Sequence, residues 1–170
     1  MPTASITLTR AGEFAGYASL FHVRDDSGDI VLPGAFRKSL ARTGPRGVRL
    51  LWQHDPGRPL GVWLALREDD RGLFVHGRLA LSTARGREVA ELLRIGAVDG
   101  LSIGFRTVRA SRDRFRKARL LHEVELWEIS LVTFPMLRSA RVRAVKGVRP
   151  HRARRILSTP NHLQEEMLCP

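Results

Sequence analysis

The sequence has a single cysteine, Cys169, beside the last of its 170 residues. A disulfide framework within one chain is therefore excluded, and the usage fits a reducing compartment. No apolar run approaches the length of a membrane span, and the start, MPTASITLTR, lacks the apolar core of a secretory signal. The six histidines show no metal-ligand spacing and one cysteine makes no thiolate cluster, so neither a metal nor a cofactor is expected. Acid is missing where base is dense. From Ile129 to His162 there is no Asp or Glu, and between Arg106 and Arg119 seven basic residues stand with one acid, Asp113. The formal charge of +12 is thus a basic loop and a basic tail added to a nearly balanced first hundred residues. Such charge favours anionic partners, and the tail could contact nucleic acid through phosphates, although a solvated tail is the plainer reading.

What is present is enough for one hydrophobic core, with 43% hydrophobic residues. SITLTR and FAGYASLF alternate like strands, and PGAFRKSLAR reads as a short helix opened by Pro33 and broken at TGPRG. VRLLWQHD, LGVWLALRED and GLFVHGRLAL read as three strands. STARGREVAELLRIG is the best helix, capped by Ser82 or Thr83, with Val89, Leu92 and Leu93 on its apolar face and Gly96 at its end. GLSIGFRTVRA is a further strand, a basic loop follows, and ARLLHEVELWEISLVTF is one bent strand or two short ones. After Lys146 the pattern dissolves. The expected organisation is a folded domain over residues 1–146 and a basic, flexible tail over 147–170. Six or seven strands, mostly adjacent in sequence, with two helices predict a mainly β fold: an antiparallel β-barrel with helices on its flank.

GLSIGF contains Gly-x-Ser-x-Gly, which in one hydrolase class marks a serine on a strand-to-helix elbow. Here the helix precedes Ser102 and a strand follows it, so the elbow is rejected. The histidines after Ser102 that this class needs, His151 and His162, would also fall in the unpatterned tail. A different set fits: His54 at the end of an apolar strand, Ser102 at the start of another, and Glu128 in a third. A serine hydroxyl needs an imidazole as base, and the imidazole needs a partner on its other nitrogen. On an ideal strand Glu128 shares a face with Val124, Leu126 and Ser130, and a carboxylate on an apolar face needs a partner. Glu123 and Glu125 compete with it. The two glycines around Ser102 leave room for a peptide and free backbone donors for an oxyanion. The alternatives are a polar strand end at His54-Asp55-Pro56-Gly57, a strand serine bonded to backbone, and a glutamate paired to an arginine. Trp52, Trp63 and Trp127 lie on strands and read as core.

Taken as an ordered set, GYASLF, GDIVLPGAFRKSL, LLWQHDPGRPLGVW, GLSIGF and LWEISLVTFP resemble the HK97-type prohead maturation proteases of tailed phages, over about Phe14 to Arg143. The resemblance implies a β-barrel like that of the herpesvirus assembly proteases. It implies a serine endopeptidase with His54 as base, Ser102 as nucleophile and Glu128 as third member, with His122 in reserve for that position because the related viral proteases use a second histidine there. It also implies a substrate that is a scaffold protein, a scaffold segment of the major capsid protein, or the chain itself. The setting would be an immature capsid in a bacterial cytoplasm, of a phage, a prophage remnant or a gene transfer agent. Self-association, as a dimer or within the particle, comes with the same resemblance. The rival reading is a non-catalytic capsid-assembly or nucleic-acid-binding protein on the same barrel.

Overall fold

The computed structural model describes residues 8–143. The expected tail at 147–170, with its proposed nucleic-acid contact, lies outside them. The elements run β1 (Glu13–Leu20), β2 (Asp29–Val31), α1 (Arg37–Gly47), β3 (Arg49–Trp52), β4 (Asp55–Glu68), β5 (Gly72–Leu79), α2 (Ala84–Arg94), β6 (Gly100–Asp113), β7 (Ala118–Val132) and β8 (Val142–Arg143). No helix among the described residues is long and apolar enough to cross a membrane.

The strands form one curled sheet in the order β2-β7-β3-β4-β5-β1-β8, with β6 on β7. Its ends approach each other: Leu101 N donates to Ala140 O, Val142 N donates to Asp99 O, and Gly100 bridges Arg141. Phe14, Leu50, Leu73, Leu101, Leu121, Ile129 and Leu131 are fully buried inside the curl, each contributing about 1.5–3 kcal/mol through apolar burial. Helix α1 packs on β4 and β7, and α2 on β4 and β5.

The mainly β fold with two flanking helices is as expected, but its details differ. Among the described residues there are eight strands, and β2 and β3 both run parallel to β7. Parallel pairing joins segments far apart in sequence, so hydropathy cannot reveal it. The described part of SITLTR leads into a turn, and β1 starts only at Glu13. Helix α1 begins at Arg37, after Pro33, and runs through TGPRG with a kink at Gly44, where φ is 59°. The basic loop is mostly a hairpin, with β6 and β7 paired from Gly100↔Val132 out to Asp113↔Ala118.

That hairpin contains the register change that matters most. Gly104 faces Glu128, but Phe105 faces Leu126, so Trp127 is an extra residue on β7. Such a bulge reverses the alternation of side chains. Val124 and Leu126 join Ile129 and Leu131 in the core, while Glu128 and Ser130 lie on the opposite face. The expected sharing of one face by Glu128, Val124 and Leu126 is therefore corrected. Trp127 is also corrected: it is 55% exposed, whereas Trp63 is buried and Trp52 packs against the core.

Candidate active site

Strand β3 ends at Trp52, which pairs with Asp55 across β4, so Gln53 and His54 form a two-residue hairpin link. Both adopt left-handed backbone, with φ of 53° and 61°. Asn-Gly takes this geometry readily; Gln-His does not, and each such residue costs about 1 kcal/mol or more. Strand β7 holds the link in place. Leu131 O accepts from Gln53 N at 3.0 Å, and Thr133 Oγ1 accepts from Gln53 Nε2 at 2.8 Å. The His54 N–H donates to Ser130 Oγ at 3.0 Å. The strained residue is thus the one whose imidazole points at the next group.

That group is Glu128, whose Oε1 accepts from His54 Nδ1 at 2.6 Å. Its other oxygen, Oε2, accepts from Ser130 Oγ at 2.6 Å. The carboxylate side chain is 13% exposed, against 45% for the imidazole. The hydrogen bond to Glu128 holds His54 above its ordinary pKa, against partial burial that pulls it down, and the carboxylate charge adds to the rise. With Nδ1–H committed to Glu128, neutral His54 carries its lone pair on Nε2.

Ser102 lies on the other side of β7. It is the direct cross-strand partner of Ser130, and such antiparallel partners share a face with Cβ atoms about 5 Å apart. Gly100, Ser102 and Gly104 therefore line up against Val132, Ser130 and Glu128, while Leu101 and Ile103 turn towards the core. Ser102 is 6% exposed. One sheet face thus carries Ser102, the His54–Glu128 pair and, between them, Ser130.

The model of the caudovirus prohead serine protease family matches residues 2–153. The chain belongs to that family. The prohead protease of Enterobacteria phage HK97 is 36% identical over 141 residues, 82% of this chain and 62% of that protein. That of Escherichia phage T5 is 26% identical over 129 residues, 75% of this chain and 60% of that one. The chain thus spans less than two thirds of the length of these curated relatives. The solved bacteriophage T4 capsid assembly protease is 13% identical and shares the fold, with a TM-score of 0.54 over 76% of this chain and 89% of its own.

Among the described residues, the competitors for the third position are engaged elsewhere. Glu123 pairs with Lys38, Glu125 with Arg42 and Arg106, and His122 Nε2 meets Ser111 Oγ at 2.7 Å. The glycines of GLSIGF also pack where a side chain would not fit. A Cβ on Gly104 would lie 2.1 Å from Glu128 Oε1, and one on Gly100 would lie 2.5 Å from Val132 O and 2.8 Å from a Pro135 ring carbon. Gly104 is the space in which the Glu128 carboxylate sits. Ser130, which links the His54 backbone to Glu128, was the residue sequence reasoning passed over. Its signal was its position two residues beyond Glu128, on the same strand face.

Gly104→Ala is expected to displace the Glu128 carboxylate and slow proteolysis by about a hundredfold, the scale set by small misplacements of reacting groups. Its urea midpoint should fall no further than that of Glu128→Gln, because the clash is with the Glu128 side chain and not with backbone. An unchanged rate would show that this seat for Glu128 is not needed.

Proposed function

We propose that the chain is a serine endopeptidase of capsid maturation, with Ser102 as nucleophile, His54 as general base and Glu128 as the group that orients and charges His54. The observation that carries this reading is the 2.6 Å His54–Glu128 pair set beside Ser102 on one face of the sheet, in a member of a serine protease family. A protein that only assembled capsids would have no use for a strained left-handed histidine clamped to a carboxylate.

In the proposed cycle Nε2 of His54 removes the Ser102 proton as Oγ attacks the scissile carbonyl carbon. The electron pair of the carbonyl moves to oxygen, and Glu128 balances the new imidazolium. The tetrahedral adduct collapses as His54 protonates the leaving amine, and the C–N bond breaks to leave an acyl-serine. Water, deprotonated by His54, attacks the ester; the proton returns to Ser102 and the new carboxylate product leaves. The proposed substrate is a scaffold protein, or a scaffold segment of the major capsid protein, held inside the immature shell. The same chemistry on another copy of the chain would give self-cleavage, which requires the copies to associate.

Co-expression with the capsid protein of the same genome tests this reading. Wild type is expected to shorten the capsid protein or its scaffold at a discrete bond, read by intact-mass spectrometry. Assembly of particles with no shortened species would favour the non-catalytic reading instead.

A further inference from the structure

At the turn that closes the β6–β7 hairpin, a cavity of about 590 Å³ opens against the turn before β2. Arg24, Arg112, Arg114 and Lys117 line it, and none has a carboxylate within ion-pair distance among the described residues. The nearby acids are already committed. Asp29 grips Arg119 through both oxygens, at 2.7 and 2.5 Å. Asp113 Oδ1 accepts from the Phe115 and Arg116 backbone, and Asp25 Oδ1 accepts from Ser27 and the Asp29 backbone. With five cations against two carboxylates, Asp29 and Asp113, the lining keeps a net positive field, which in a concave site attracts an anion more strongly than on an open surface. Phe115 is fully exposed at the hairpin tip, next to Arg114 in the chain.

We propose that this cavity is an exosite for a carboxylate-rich segment of the polypeptide substrate, away from the bond that is cut. The inference rests on the reading of Ser102 as a peptidase nucleophile. Location favours a peptide over nucleic acid. The segment Val23–Asp29 is a wall common to two sites: Arg24 and Asp29 line the cationic cavity, and Val23, Asp25 and Asp29 line the small cleft at Ser102. The cationic cavity and the cleft beside Ser102 thus share this turn as a wall.

The test uses the full chain carrying Ser102→Ala, so that binding is read without cleavage, with a fluorescent oligoglutamate peptide as probe. Arg112→Glu with Lys117→Glu should weaken binding by roughly tenfold or more, as expected when close charge pairs across an interface are lost. Arg37→Glu with Arg85→Glu makes the same change in net charge on exposed helix positions outside the cavity and should alter binding less than about twofold. Equal losses in the two double variants, or none at the hairpin, would overturn the exosite. So would an oligodeoxynucleotide whose affinity drops at the hairpin while that of oligoglutamate does not. Labelling of Ser102 by a fluorophosphonate, measured in chains that retain the serine, keeps the two readings apart. Equal labelling with and without the hairpin substitutions shows an intact site. No labelling of wild type would sink the peptidase reading and leave the binding result to stand by itself.

Discussion

Ser102→Ala is expected to lower proteolysis by about ten-thousand- to million-fold, the range seen when a serine of a hydroxyl–imidazole–carboxylate set is removed. The variant should fold like wild type. Ser102 Oγ makes no hydrogen bond to another described residue, and the cross-strand pairing with Ser130 is a backbone matter. Alanine therefore removes the attacking atom without disturbing the His54–Glu128 contact at 2.6 Å. Two measurements read the outcome: the appearance of the cleaved capsid product, and covalent labelling by a fluorophosphonate. Both should vanish together. Cleavage at the wild-type rate by Ser102→Ala would remove Ser102 from the mechanism, whatever the fold.

Glu128→Gln is expected to cost about a hundred- to ten-thousand-fold in rate and to move the pH profile in a set direction. His54 acts as a base only when neutral, so the rate falls as pH drops through its pKa. In wild type Glu128 raises that pKa above the ordinary value near 6.5, so the acid limb should lie above 6.5. With glutamine in place the raising partner is gone while the lowering effect of burial remains. The limb should therefore shift to lower pH as the plateau falls. The stability link has the matching sign. A raised folded-state pKa contributes stability that is fully present below the unfolded histidine value and is lost as pH rises through the folded one. The difference in melting temperature between wild type and Glu128→Gln should accordingly shrink as pH increases across that window. A lowered plateau with an unmoved limb would show that Glu128 acts through packing and not through the imidazole.

Much of this was legible without coordinates. Alternation marked most strands of the sheet, the Thr83 cap and Gly96 stop marked α2, and the order of WQHD, GLSIGF and LWEIS pointed to His54, Ser102 and Glu128. The helix before GLSIGF was enough to reject the elbow. Those signals are local: hydropathy period, capping chemistry and residue type report on a few neighbours along the chain. The proposed third residue, however, was reached through a wrong face. The Trp127 bulge turns Glu128 away from Val124 and Leu126, and an ideal period of two cannot register an inserted residue.

What the sequence determined by itself was the element types, the mainly β class and the three residues worth testing. The tertiary structure alone decided that β7 lies between the other two strands of the site, with β3 parallel on one edge and β6 antiparallel on the other. That arrangement gives Ser130 its two bonds, makes Gly104 the seat of a carboxylate, and gathers at the hairpin's far end cations with no ion-pair partner among the described residues. The physical reason is that strand pairing is a contact between distant segments. Its partner, direction and register follow from how the whole core closes, and no short stretch of sequence carries that information.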